Sequence, residues 1–311
     1  MLGVKISGTG HYVPEEVITN EAIAKRLPTT DKWIRERLGI HTRHAARSDE
    51  ETSDLASQAA WKALVNAGEM PEDMDLIIVA TATPDRLAPS TACIVQDKIG
   101  AWNASAFDLN AVCTGFLYGL SVGSQFIASG TYKKVLVIGV DIFSRITDWN
   151  DRSCVFFGDG AGAVVLTKGD GILAINLYAD GRGKEAFSVH NGSYFQMQNK
   201  MIYETAPVVL SQSIMTVLEQ CDMTVDDIDV VVPHQPSIEI LRLMADKIGL
   251  PFEKVMTNMD RYANTSAASV PIMLDEACRE GRIKNGDTVV LVAVGSGWTW
   301  GAALLRWTKE L

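Results

Sequence analysis

Three side chains have the types and placements for nucleophilic chemistry. Cys113 follows an apolar, strand-like run at 104–109 and precedes a stretch of small and apolar residues, 115–129, that reads as a buried helix. A cysteine at such a junction sits at a helix N-terminus, where unpaired N–H groups and the helix dipole favour a thiolate. Cys113 is therefore expected to be a nucleophile. His234 follows a buried strand at 228–232, at the edge where α/β proteins put functional side chains. Asn264 precedes a helical segment at 266–280, and its amide can donate to a developing oxyanion or enolate. Each also has a plainer reading: a small buried hydrophobe, a loop histidine, and a helix-capping asparagine.

Hydrophobic periodicity predicts the elements that must hold these groups. Strands are expected at 4–10, 76–80, 135–140, 164–166, 172–177, 228–232 and 289–294, and helices at 52–67, 205–220, 238–248 and 266–280. The polar segment 180–200 reads as a long loop, a candidate lid. Segments 70–79 and 223–232 resemble one another, with Asp75 and Asp229 standing 154 residues apart, as do Val135 and Val289. The Gly-rich turn and strand at 158–166 is mirrored at 295–305. This repeated register implies an internal duplication, with halves at 1–170 and 171–311. Two mixed sheets with helices between and outside them follow. In the same register Cys113 corresponds to Ala267. Two equivalent helix starts should then meet near a pseudo-twofold axis, one bringing Cys113 and the other Asn264.

The chain has 311 residues, 47% hydrophobic and 21% charged, as expected of a globular protein. Its net charge of −10 argues against non-specific nucleic-acid binding. No apolar run is expected to approach the roughly 20 residues of a membrane span, and the first residues read as a strand rather than a leader. Five cysteines without a C-x-x-C spacing suggest neither a disulfide framework nor a metal site. A cytoplasmic protein with no nucleic-acid or membrane partner is expected.

Two motif matches point elsewhere. Gly119-Leu120-Ser121-Val122-Gly123 fits the hydrolase elbow G-x-S-x-G, which makes a serine hydrolase using Ser121 and His234 the rival from another class. That elbow needs a strand directly before its serine, and Ser121 falls inside a helical run. The glycines at 158–162 lead into a strand, not the helix N-terminus a phosphate site requires, so close backbone packing accounts for them better.

In combination, Ala111-Val112-Cys113-Thr114-Gly115, Val232-Pro233-His234-Gln235-Pro236 and Asn264-Thr265-Ser266-Ala267-Ala268-Ser269 resemble a known family. With Phe157-Gly158-Asp159-Gly160-Ala161-Gly162-Ala163 and Thr299-Trp300-Gly301, they are similar to the β-ketoacyl-acyl carrier protein synthase III enzymes of the thiolase superfamily. The resemblance covers essentially the whole chain. It implies an α/β, thiolase-like, duplicated five-layered α-β-α-β-α fold, a homodimer, and no metal or permanently bound cofactor. The implied reaction is a decarboxylative Claisen condensation that initiates fatty-acid synthesis. Cys113 would take an acyl group from acyl-CoA, and malonyl-acyl carrier protein would lose CO₂ and attack it. His234 and Asn264 would donate to the malonyl thioester oxygen. The backbone N–H groups of Cys113 and Ser296 would form the oxyanion hole. The family positions for CoA fall on Trp33 and Arg152, which would sandwich the adenine, and on Arg37 near the phosphates.

The chain also departs from the family pattern. Glu239 stands where many relatives carry a carrier-docking arginine, which leaves Arg242 and Lys247 as the expected docking cations. Ser237 replaces a common asparagine, and Ala263 replaces the glycine usual before the asparagine. Ala88 occupies an acyl-pocket position that acts across the dimer and is bulky in acetyl-specific relatives. With a shortened 183–200 segment, it suggests an acyl pocket roomier than acetyl alone requires. A condensing enzyme or acyltransferase of secondary metabolism, with a different acceptor, is the alternative within the same fold.

Overall fold

The computed structural model describes residues 2–190 and 192–308. A five-stranded sheet takes its strands in the order Val4–Tyr12, Gly160–Lys168, Lys134–Asp141, Leu76–Ala80 and Ser105–Leu109. Leu76–Ala80 pairs in parallel with both neighbours, and the Gly160–Lys168 side is antiparallel. A four-stranded sheet follows in the order Val230–Pro233, Thr288–Gly295, Thr299–Arg306 and Ile172–Ala179. Leu76–Ala80 and Thr288–Gly295 are buried along their whole length, which is why they read as continuous apolar runs.

Helices Gly115–Ala128 and Ser269–Arg279 touch both sheets and form the middle layer. Thr52–Ala67 and Thr91–Ile99 cover the outside of the first sheet, and Asn199–Glu219 covers the second, with Ile238–Ile248 against it. The result is the five-layered α-β-α-β-α arrangement expected from the sequence.

The repeat register recurs element by element. Turns Pro71–Asp73 and Val225–Asp227, strands Lys134–Asp141 and Thr288–Gly295, and turns Val112–Thr114 and Ser266–Ala268 are each offset by 154 residues. Close packing of the middle layer explains the glycine run. A Cβ on Gly162 would stand 2.7 Å from the Ile272 nitrogen, and one on Gly139 would stand 2.3 Å from the Ala267 carbonyl oxygen. Ser269–Arg279 can therefore lie directly on the first sheet only because these positions lack a side chain.

Two expectations need correction. The helix predicted at 205–220 begins at Asn199. Its first turns carry exposed Asn199, Lys200 and Glu204, which hide the helical period from an apolar pattern. At 21 residues this helix is long and apolar enough to cross a membrane by length and composition, contrary to the expected absence of such a run, but half of its most apolar window is buried inside the fold. Segment 180–200 is not a structureless loop. It contains a short turn, Gly181–Gly183, and a hairpin pairing Phe187–Ser188 with Gln196–Met197.

Candidate active site

Cys113 lies in the short turn Val112–Thr114 that leads into helix Gly115–Ala128. Its repeat mate Ala267 is the middle residue of Ser266–Ala268, which leads into Ser269–Arg279. Both turns open on a left-handed residue, Val112 at φ 48° and Ser266 at φ 52°. The two helix starts face one another, as the duplication predicts: the Ser266 hydroxyl lies 3.5 Å from Cys113 Sγ. The end of Thr288–Gly295 packs against the cysteine turn. A Cβ on Gly295 would come within 2.8 Å of Thr114 Oγ1.

His234 continues strand Val230–Pro233 by donating its backbone N–H to the Val292 carbonyl at 2.8 Å. It is 2% exposed, and its Nδ1 has no partner. Burial pushes its pKa down to about 3, so the imidazole is neutral across physiological pH. Asn264 is held by its main chain, donating to the Phe156 carbonyl and accepting from the Gly158 amide, each at 3.0 Å. Its Oδ1 accepts the Ser266 N–H at 2.8 Å, which leaves its NH₂ group facing away from that bond.

One cavity of about 70 Å³ is lined by Cys113, His234, Asn264 and Ser296, with walls that include Phe156, Phe157, Phe187, Ile202 and Trp298. Phe157 stacks on Phe143 at 4.7 Å and meets Phe195 edge-on at 4.8 Å. A second cavity of about 420 Å³, lined by Trp33 and Arg152, shares Phe156, Met197 and Asn199 with the first. These shared walls set the two cavities side by side. Trp33 and Arg152 already touch, the guanidinium lying 4.2 Å from the ring centroid.

The environment of Cys113 corrects the expectation of a helix-end thiolate. Burial outweighs the dipole and pushes the thiol up to about 12. Of the arginines at 35, 37 and 43, Arg43 is wholly buried and donates to Asn20 Oδ1 and the Val155 carbonyl. Arg35 pairs with Asp31, and Arg37 lies 3.9 Å from Glu239. Arg242 and Lys247 are exposed on Ile238–Ile248, with Arg242 over the Phe252 ring at 5.7 Å. Ala88 is on an exposed loop and lines no part of its own chain's cysteine cavity. Ser121 sits inside Gly115–Ala128 and is not among the residues around His234, so the hydrolase pairing does not form.

Sequence reasoning missed Ser266, Asp141 and the aromatic wall. The repeat offers a signal for the first: an offset of 154 pairs Ser266 with Val112, beside the nucleophile. Asp141 ends strand Lys134–Asp141 and has no exposure. Its Oδ1 accepts from the Ala82 N–H at 2.7 Å and from the Thr81 and Thr83 hydroxyls at 3.1 Å. Oδ2 accepts the Ala267 N–H at 3.2 Å. Phe187 and Phe195 come from the hairpin region, where a polar segment masks them.

Residues 107–181 match the family model described as 3-oxoacyl-(acyl carrier protein) synthase III, and residues 218–307 match the model of its C-terminal part. A β-ketoacyl-(acyl carrier protein) synthase III of Bacillus cereus is 46% identical, covering 99% of this chain and all of that one. The namesake of Erythrobacter litoralis is 47% identical with the same coverage. The crystal structure of 3-oxoacyl-(acyl carrier protein) synthase III from Aquifex aeolicus superposes with a TM-score of 0.96 at 44% identity, covering 98% of this chain and all of that one.

Proposed function

The chain belongs to the 3-oxoacyl-(acyl carrier protein) synthase III family, and on that premise we propose that it condenses an acyl-CoA primer with malonyl-acyl carrier protein to initiate fatty-acid synthesis. One observation carries this reading: Cys113, His234 and Asn264 line a single apolar cavity that shares walls with the one lined by Trp33 and Arg152. Cys113 Sγ attacks the acyl thioester and holds the acyl group. The backbone N–H groups of Cys113 and Ser296 receive the tetrahedral oxyanion. After malonyl-acyl carrier protein replaces CoA, His234 and the Asn264 NH₂ donate to the malonyl thioester oxygen. Loss of CO₂ leaves an enolate that these donors stabilise, and its carbon attacks the acyl-Cys113 carbonyl. A neutral histidine suits this task because it donates without first needing to be protonated.

Trp33, Arg152 and Arg37 form the CoA mouth, and Arg242 and Lys247 meet the acidic carrier protein. The halves 1–170 and 171–311 divide the labour, the first carrying the nucleophile and the second the enolate donors. The protein acts as a homodimer. Leu87, beside Ala88, is 99% exposed on its loop, an apolar tip that a second copy would cover. None of the cysteines forms a disulfide, which supports a reducing, cytoplasmic setting. Acyl-CoA is a substrate, and no resident cofactor or metal takes part.

Intact-mass spectrometry after exposure to acyl-CoAs of increasing chain length tests the reading. An acyl adduct on Cys113 that is absent from Cys113→Ser, followed by turnover with malonyl-acyl carrier protein, is expected. The adduct series extends beyond acetyl if the pocket is roomier. Adducts on another residue, or turnover only with malonyl-CoA, would overturn it.

A further inference from the structure

His234 and Asn264 come from elements well separated in sequence, yet one thioester oxygen has to accept from both. Their spacing must be held tightly, since a misplacement of about 1 Å can cost about 100-fold in rate. Asn264 follows the short helical turn Met259–Tyr262 and the left-handed Ala263. That turn is seated on one carboxylate, Glu276, which is 5% exposed on the middle-layer helix Ser269–Arg279. Glu276 Oε1 accepts from Tyr262 Oη at 2.8 Å and from Arg261 Nη1 at 2.9 Å. Its Oε2 accepts from Asn258 Nδ2 at 2.8 Å and from Arg261 Nη2 at 3.0 Å. Asn258, Arg261 and Tyr262 stand three and four residues apart, so one group can hold the same face of the turn.

The same segment is tied to the histidine. Gln235, next to His234 and 1% exposed, accepts the Asn258 N–H on Oε1 at 3.2 Å. Its Nε2 donates to the Pro233 and Met256 carbonyls at 3.0 and 3.2 Å. A chain of hydrogen bonds therefore runs from the strand end that carries His234, through Gln235, Asn258 and Glu276, to the turn that delivers Asn264. Neither Gln235 nor Glu276 lines the cysteine cavity.

We propose that Glu276 and Gln235 are positioning residues that set the spacing of the two enolate donors. The inference rests on the condensation reading above. Glu276 acts through Asn264, by fixing the turn before it, and Gln235 holds that turn in register with His234. Cys113 stands on a separate turn, Val112–Thr114, so the chain bears on decarboxylation and not on acyl transfer. The neighbouring carboxylate supplies a control. Asp275 is 1% exposed on the same helix and accepts from Thr9 Oγ1 at 2.6 Å and Arg279 Nε at 2.7 Å, partners outside the Asn264 turn.

Both half-reactions of the full-length enzyme test this: CO₂ release from malonyl-acyl carrier protein, and acylation of Cys113 by acyl-CoA read by intact mass. Glu276→Gln turns one acceptor into an NH₂ group that faces donors. Its kcat for CO₂ release should fall about 10- to 100-fold with KM near wild type, while acylation keeps its rate. In an Asn264→Ala background the same substitution should cost less than about 2-fold, because its effect passes through that side chain. Gln235→Met should show the same split between half-reactions. Thr9→Val, which removes one bond to Asp275, should lower the melting temperature and keep both rates. Thermal melts identify variants that fail to fold. Arg261→Met removes the bidentate pair from a side chain that is 45% exposed, and it decides the matter if Glu276→Gln does not fold. CO₂ release within about 2-fold of wild type in the folded variants, equal loss in both half-reactions, or full additivity with Asn264→Ala overturns the inference. A wild-type enzyme that is acylated but releases no CO₂ overturns the condensation reading itself, a failure visible before any substitution is made.

Discussion

The Ser266 N–H donates to Asn264 Oδ1 at 2.8 Å, and that bond orients the amide so that its NH₂ is the end left to donate. Asn264→Asp keeps the acceptor for Ser266 but replaces the donor by a carboxylate oxygen. Decarboxylation of malonyl-acyl carrier protein should fall by about 10²- to 10³-fold, the usual cost of one preorganised donor. Acylation of Cys113, read by intact mass, should stay near wild type. Equal loss in both half-reactions would remove the assigned role.

His234 yields a prediction in pH. With its pKa pushed down to about 3 from 6.5, the ring remains a neutral donor as the medium is acidified, so the decarboxylation rate should show no acid limb from this group between pH 8 and 5. Stability behaves otherwise. Below the unfolded pKa of 6.5 the unfolded chain binds a proton that the folded ring refuses, so stability is lost as pH falls from about 6.5 toward 3. His234→Gln should flatten that loss, by a few kcal/mol between pH 7 and pH 4. Urea titrations of both proteins at the two pH values measure it, and parallel losses would sink the assignment.

The repeat and the layers were legible because burial writes them directly into the chain. Val135 and Val289 open strands that are buried on both faces, and each half carries the same turn before its parallel strand, Pro71–Asp73 and Val225–Asp227. Cys113, His234 and Asn264 stood out because each sits at the end of such an element. What surrounds the thiol was not legible. Phe187 and Phe195 enter from a polar hairpin region remote in sequence and stack on one another at 5.5 Å, and burial pushes the thiol up rather than down. Asp141 carries no motif, and Ser266 lies inside the Asn264–Ser269 motif without a chemical signal of its own; only the folded chain brings Ser266 to the thiol and Asp141 to the Ala267 amide.

Ala263 has φ 58° and ψ −149°, a region that glycine occupies far more readily than alanine, at a cost of about 1–3 kcal/mol. Its methyl is buried, so Ala263→Gly gives up about 0.8 kcal/mol of burial and about 0.4–1 kcal/mol through the freer unfolded chain. A net change between a loss of about 1 kcal/mol and a gain of about 2 kcal/mol in unfolding free energy is expected. Ala263→Val adds a β-branch at positive φ and should lose more than about 2 kcal/mol. Denaturant midpoints compare the three proteins, and a glycine variant less stable than wild type by over about 1 kcal/mol contradicts the strain argument.

Arg152 and Trp33 are in cation–π contact at 4.2 Å, too close for a purine to lie between them. On the proposed sandwich, adenine binding parts the pair and replaces its contact with two stacked ones. Trp33→Ala and Arg152→Ala should each raise the KM for acyl-CoA about 10-fold, in line with contacts worth about 0.5–2 kcal/mol. Neither should change turnover with an acyl-pantetheine, which lacks the nucleotide. A matching defect with the truncated substrate would show that the pair acts on the thiol end of the substrate instead.

Glu239 lies 3.9 Å from Arg37, with both side chains largely in solvent, so the pair adds little stability and its consequence is electrostatic. The carboxylate partly cancels one of the mouth's cations and repels an acidic carrier protein approaching Ile238–Ile248. Glu239→Gln removes the repulsion and releases Arg37, and Glu239→Arg adds a cation beside Arg242. The KM for malonyl-acyl carrier protein should fall about 2- to 5-fold for the first and further for the second at low ionic strength. At 0.5 M salt, where the Debye length is about 4 Å, the gain should largely vanish. The KM for acyl-CoA should fall as well, and less, because the released Arg37 belongs to the CoA mouth while Trp33 and Arg152 are untouched. If neither substitution lowers the carrier-protein KM at low salt, docking does not use this face of the helix, and Arg242 and Lys247 lose their assigned part with it.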